Sequence, residues 1–302
     1  MLRIIFNPAA GPVMVRKIGR VREILATRGV PFEVFETKGP GDAVLLAREA
    51  AHAGAETVAA VGGDGTINEV ANGLAGSGTR LLMVPHGTGN VFAQELGLPD
   101  PVEECLGLLA AGKTIAVPLA RAGDRYFVLM ASAGFDAEIV ERMGSREKKA
   151  LGRSAYVLAG MRNILRAHPA LWLELPGKER IEAQLVVLCR GRMYAGCPMA
   201  PGGDLEGKTL RMVALLGRGR RAIVKFALDV LRGRHLASPA VLCREIDSVL
   251  VRSRIPSAAQ VDGEYLGPLP VRFGMTDVTL RIVVPQGFPG PEGHGRFPAI
   301  RP

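Results

Sequence analysis

The chain has 302 residues, enough for one large domain or two ordinary ones. Hydrophobic residues make up 48% and charged residues 22%, which excludes a disordered chain, and with only 5% aromatics the core must be mostly aliphatic. A formal charge of +9 suits an anionic partner such as nucleic acid, an acidic membrane or a phosphorylated substrate, or serves solubility alone.

Residues 2–6 (LRIIF) read as a buried strand, broken by NPAAGP, and 13–28 has helical spacing. PFEVFET (31–37) is a second strand, after which Asp42 offers an N-cap to a helix over 43–53. ETVAAV (56–61) is a third, ending at GGDGT. A helix over 66–75 follows, its Thr66 and Glu69 at capping-box spacing. RLLMVP (80–85) is a fourth, ending at HGTGN, with helices over 90–96 and 101–111. This alternation predicts a parallel sheet covered on both faces.

From about residue 114 short strands succeed one another: TIAVPLARA, RYFVLMASAG, ALWLELP, IEAQLVVLCRG, KTLRMVALL, SVLVRS and PVRFG. Helical segments over about 147–167 and 218–233 interrupt them. Successive strands predict an antiparallel sandwich. The expected organisation is α/β: an N-terminal parallel-sheet domain over 1–117, an antiparallel β-sandwich domain over 118–285, and a Gly/Pro-rich tail over 286–302 that is expected to fray.

The four cysteines, Cys105, Cys189, Cys197 and Cys243, form no CxxC and no Cys/His cluster, as for core thiols in a reducing compartment. MLRIIFNPAAG has no signal-peptide pattern, and no run approaches about 18 apolar residues, so a cytoplasmic chain is expected. GLLAAGKT (107–114) matches the Walker A pattern, but there a helix precedes the glycine and a strand follows. The phosphate loop needs the reverse order, so Gly112 reads as a helix cap.

Three strands of the first half end in small, glycine-bearing turns: NPAAG (7–11), GGDGT (62–66) and HGTGN (86–90). Strand carboxyl ends share one edge of a parallel sheet, and ligands bind there. Backbone N–H groups in such turns can approach an anion closely. Each turn taken alone could serve only as a tight turn.

NPAAG, GGDGTINEVANGL and PHGTGNVFA, at these separations, resemble the catalytic domain of diacylglycerol kinases and their bacterial lipid-kinase relatives, which sphingosine and ceramide kinases share. Thr37, KKALGRSAYVLAG (148–160) and the DGE at 262–264 fit the resemblance, which spans almost the whole chain. GGDGT alone is less specific: NAD kinases carry it and phosphofructokinases a close variant, whereas INEVANGL and GTGN favour the lipid kinases. The resemblance implies an NAD-kinase-like nucleotide-binding α/β domain and a β-sandwich domain with the active site between them. It implies an ATP site lined by Asn7, Pro8, Ala9, Ala10, Gly11, Thr37, Gly62, Gly63, Asp64, Gly65, Thr66, Ile67, Asn68 and Thr88. ATP reacts as its Mg2+ complex, and Asp64 is expected to address that ion; the alternative is a carboxylate that stiffens its own turn. Glu264 is implied as the group accepting the proton of the acceptor hydroxyl, although Asp262-Gly263 is also an ordinary hairpin signal. A second, structural metal is implied at Gly203, Glu206 and Lys208, with Glu206 where the family usually has aspartate; an acidic turn without metal is the equal alternative. Val91 and Gln94 depart from the acid or amide and the arginine common after GTxN.

A lipid kinase must reach a bilayer. Residues 218–235 carry Ile223, Phe226, Ala227, Val230 and Leu231 on one helical face with arginines at both ends. That helix could lie peripherally on the inner face of an anionic membrane or pack its apolar stripe on its own domain. Nucleic acid is not expected as a partner, because the basic residues are not interleaved with aromatics. The expected function is transfer of the ATP γ-phosphate to a lipid hydroxyl, with diacylglycerol ahead of a sphingoid base, ceramide or another lipid alcohol. The alternatives are a nucleotide-sensing protein without turnover and a kinase of a soluble substrate.

Overall fold

The computed structural model describes residues 1–86, 90–142, 169–194 and 197–288. Three expectations fall outside them: Thr88, the helix over 147–167 with its KKALGRSAYVLAG stretch, and most of the fraying tail. The described chain forms two compact units, Met1–Leu119 with the residues from Asp277 onward, and Ala120–Thr276.

The first unit alternates β1 (Leu2–Phe6), α1 (Pro12–Thr27), β2 (Phe32–Glu36), α2 (Asp42–His52), β3 (Thr57–Gly62), α3 (Asp64–Leu74) and β4 (Arg80–Pro85), then α4 (Val91–Glu95) and α5 (Val102–Ala111). β5 (Lys113–Ala122) leads into the second unit. The sheet is parallel, in the order β2-β1-β3-β4. β1, β3 and β4 are short, mostly aliphatic runs buried on both faces, as inner parallel strands are, whereas the edge strand β2 (FEVFE) is partly exposed. Leu2, Ile4, Phe6, Ala59, Val61, Leu82 and Val84 pack on one face with Met14, Ile18, Val21 and Leu25 of α1 and Cys105, Leu106 and Leu108 of α5. The alternate residues Ile5, Val58, Ala60, Leu81 and Met83 are fully buried on the other face, where α2 and α3 pack.

The second unit continues with β6 (Arg125–Phe127), β7 (Met130–Gly134), α6 (Phe135–Arg142), β8 (Leu171–Glu174), β9 (Arg180–Ala183), β10 (Leu185–Cys189), β11 (Met193–Tyr194), β12 (Cys197–Pro198) and β13 (Leu210–Leu215). Then come α7 (Arg220–Leu231), β14 (Val241–Ile246), β15 (Ser248–Ser253), β16 (Ala258–Val261), β17 (Glu264–Pro268) and β18 (Val271–Val284). One antiparallel sheet runs β14-β13-β10-β7-β16-β17. Facing it, β15 pairs with the first half of β18 and with β8, and β8 with β9. Ala131, Ala133, Val186, Leu188, Met212 and Ala214 of the first sheet meet Leu171, Leu173, Val249, Val251 and Phe273 of the second in one core. This is the expected α/β organisation with an antiparallel sandwich.

β18 departs from the expectation of a contiguous second domain to 285. Its second half returns to the first unit and pairs in parallel with β4, Arg281 opposite Arg80 and Ile282 opposite Leu81. Local periodicity gives a strand but not its partner, so the sequence carried no sign of this return.

Gly112 follows α5, its N–H donating to Leu108 O (2.9 Å), and Lys113 opens β5, as the rejected Walker match requires. A Cβ at Gly112 would stand 2.6 Å from Leu108 O and 2.9 Å from both Val283 Cγ1 and Val284 O. Gly112→Ala is therefore expected to destabilise the fold by about 1–3 kcal/mol, the usual cost of overpacking. An unchanged urea midpoint would contradict that packing.

Candidate active site

The four N-terminal parallel strands finish level. Phe6 pairs with both Glu36 and Val61, and Gly62 with Pro85. Asn7 leaves β1 and its Oδ1 accepts the N–H of Ala9 (2.9 Å), which folds Pro8, Ala9 and Ala10 into a 3-10 turn. Gly11, at φ +102°, turns the chain into α1 with open space on its Cβ side. Thr37 leaves β2, buried, its N–H donating to Phe6 O (3.0 Å). Gly62 ends β3 and Gly63 precedes α3, whose first residues are Asp64, Gly65, Thr66, Ile67 and Asn68. Residues 7–11, Thr37 and 62–68 thus meet at one sheet edge. The N-termini of α1 and α3 open there, with N–H groups that have no acceptor inside their own helices.

Asp64 is the first residue of α3, and its Oδ2 accepts the N–H of Val91 at 3.3 Å. An ionised carboxylate has about four acceptor positions, so accepting the Val91 N–H is compatible with also holding a hard cation. Carboxylate, hydroxyl and backbone N–H groups together have the donor chemistry that suits magnesium and phosphate oxygens.

Glu69 does not close a capping box with Thr66. Its two carboxylate oxygens accept the N–H groups of Gly41 (2.9 Å) and Ala43 (3.1 Å), capping α2 from the neighbouring helix. Lys17, which carried no motif, reaches the same sheet edge from α1 and donates to Pro85 O. Burial pushes its ammonium below the ordinary lysine range. Burial, with the Lys17 charge, also lowers the neighbouring His86.

In the second unit, Asp262-Gly263 is a two-residue hairpin turn between β16 and β17, both residues at positive φ (46° and 80°). The Asp262 carboxylate is turned inward. Its Oδ1 accepts the N–H groups of Leu129 (3.0 Å) and Met130 (2.9 Å), and its Oδ2 that of Val128 (2.9 Å). Burial raises its pKa, opposed by those three donors. Gln260 supports the same turn, its Oε1 accepting the Gly263 N–H (2.9 Å) and its Nε2 donating to Ser132 Oγ (2.8 Å). Tyr194 OH donates to Asp136 Oδ1 (2.5 Å) alongside. Glu264 opens β17 from this fixed turn, half-buried, in an ion pair with Arg125 of β6. Sequence reasoning missed Arg125, because β6 and β17 belong to different sheets and only the folded unit brings Arg125 to Glu264.

Gly203, Glu206 and Lys208 lie in the turn before β13, where Asp204 Oδ1 accepts the Glu206 N–H (2.9 Å). No group of three His, Cys, Asp or Glu able to hold a metal occurs among the described residues. Glu206 Oε2 is buried without a hydrogen-bond partner among the described residues. The cation at this turn is a guanidinium. Arg190, 1% exposed, donates to Gly207 O (3.1 Å) and Leu205 O. A divalent ion at Gly203, Glu206 and Lys208 would repel that charge in a medium that screens poorly, so the turn does not fit the expected metal.

Two family models match the chain: the diacylglycerol kinase catalytic domain over residues 1–122, and the YegS C-terminal NAD kinase beta sandwich-like domain over 130–284. A diacylglycerol kinase of Bacillus subtilis (strain 168) is 29% identical over 94% of this chain and 96% of its own. One of Staphylococcus haemolyticus is 28% identical over 90% and 84%. A crystal structure of a diacylglycerol kinase from Bacillus anthracis superposes with a TM-score of 0.70 at 19% identity, covering 95% of this chain and 98% of that one. A second Bacillus anthracis structure reaches 0.78 at 22%, with the same coverage, and shares the fold. The matched units define the class, an ATP-dependent lipid kinase. The chain belongs to the diacylglycerol kinase catalytic-domain family.

Proposed function

We propose that this kinase transfers the γ-phosphate of Mg-ATP to the free hydroxyl of diacylglycerol, giving phosphatidic acid and ADP. The observation that carries the reading is the meeting of residues 7–11, Thr37 and 62–68 at one parallel-sheet edge beneath two helix N-termini. Small residues let the backbone approach the triphosphate, and Thr37 and Thr66 add hydroxyls. Lys17 adds positive charge at the end of β4. Asp64 is the residue that would hold a magnesium ion bound with ATP, directly or through water, and that ion would supply neutralising charge to the phosphates.

Glu264 accepts the proton of the acceptor hydroxyl as its oxygen bonds to the γ-phosphorus. The bond from that phosphorus to the β–γ bridging oxygen breaks, and ADP leaves. Arg125 fixes the direction of the Glu264 carboxylate between turnovers. A sphingoid base, ceramide or another lipid alcohol is the alternative acceptor.

Contact with the bilayer falls to α7 in this reading. Ile223, Phe226 and Val230 are buried, so most of the predicted stripe belongs to the core. A second stripe, Val224 (39% exposed), Leu228 (43%) and Leu231 (72%), faces outward between Arg221, Lys225 and Arg232. Apolar residues flanked by cations suit the surface of an anionic bilayer. No helix among the described residues is long and apolar enough to cross a membrane.

The test is Asp64→Asn. It is expected to lower kcat about 10–100-fold or more and to raise the magnesium concentration at half-maximal rate, as loss of a metal-supporting carboxylate does. Wild-type turnover at limiting magnesium would remove Asp64 from the metal's surroundings.

A further inference from the structure

We infer that the guanidinium of Arg190 is a built-in cation that organises the 203–208 turn in place of a divalent ion. Arg190 follows β10, its backbone N–H donating to Leu129 O (2.8 Å) and its side chain running inward. Nη1 donates to Gly207 O (3.1 Å) and approaches Met275 Sδ (3.0 Å), and Nη2 donates to Leu205 O. One rigid fork therefore gathers two carbonyls from a single acidic turn, as a hard cation gathers carbonyl oxygens.

A further feature agrees. The backbone closes tightly around Arg190, because a Cβ at Gly203 would stand 2.8 Å from Arg190 O and 2.5 Å from Gly191 O. Burial pushes the guanidinium down to about 10, with Asp204 opposing, so the group is charged at neutral pH. A charge this buried must be matched, and the matching groups here are the two carbonyls and the charge of the Asp204 carboxylate.

Arg190 is a positioning residue in this account, and its role does not depend on which lipid is the acceptor. The experiment is thermal unfolding of nucleotide-free protein in EDTA and in excess MgCl2. Wild type is expected to unfold at the same temperature in both. Arg190→Met is expected to lower Tm by about 5–10 °C, and Arg190→Lys, which keeps the charge without the fork, to recover part of that loss. A wild-type Tm that falls in EDTA, with the fall abolished by Glu206→Gln, would place a metal at the turn and overturn the inference. So would an Arg190→Met protein as stable as wild type. Should Arg190→Met fail to fold, Mn2+ binding followed by electron paramagnetic resonance on Asp64→Asn protein decides. No bound ion supports the internal cation, and one ion lost on Glu206→Gln refutes it.

Discussion

Replacing Glu264 with glutamine is expected to lower kcat about 10²–10⁴-fold, the usual contribution of a positioned general base, with the KM for ATP unchanged. Glutamine keeps the shape of the side chain and an oxygen that still accepts from Arg125, so the fold should survive. What it loses is the capacity to take a proton. The two-residue turn, the inward Asp262 and the Arg125 pair all fix this one carboxylate, which is more support than an edge-strand glutamate needs for stability. Steady-state kinetics with circular dichroism as a folding control separate the two effects. Full turnover by Glu264→Gln would leave the residue as nothing more than the start of β17.

Asp262→Ala is expected to cost about 3–5 kcal/mol and to abolish activity together with stability. Three backbone donors, those of Val128, Leu129 and Met130, lose their acceptor at a buried site, and each stranded donor costs about 1–3 kcal/mol, less where water enters. Asp262→Asn is expected to be milder, because one oxygen remains for Leu129 and Met130 while its NH2 group opposes the Val128 N–H. Urea unfolding of both variants checks this. Equal stability of Asp262→Ala and wild type would mean that the carboxylate does not hold the turn.

The first half of the fold was legible because β1, β3 and β4 are short, mostly aliphatic runs ended by a glycine turn and followed by a helix. Those same turns placed the sheet-edge residues, because carboxyl ends of parallel strands share an edge whatever the details. The second half was less so. RYFVLMASAG reads as one strand but bends at Val128–Leu129, whose N–H groups are taken by Asp262, more than 130 residues away. α6 was missed because Phe135–Arg142 is short and buried from its first residue to Val140, its acidic Asp136 and Glu138 included. Glu69 follows the capping-box spacing yet caps α2, a choice made by the α2–α3 packing. Arg125 and Arg190 carry no motif; the folding of two sheets onto one core brings the first to Glu264, and the pairing of β10 with β13 brings the second to the 203–208 turn.

Transfer of label from γ-labelled ATP to a panel of lipids (diacylglycerol, ceramide, a sphingoid base and a monoacylglycerol) tests the central claim most directly. The account predicts labelled phosphatidic acid, in a magnesium-dependent reaction lost in both Asp64→Asn and Glu264→Gln. Binding of ATP with no lipid labelled would contradict it.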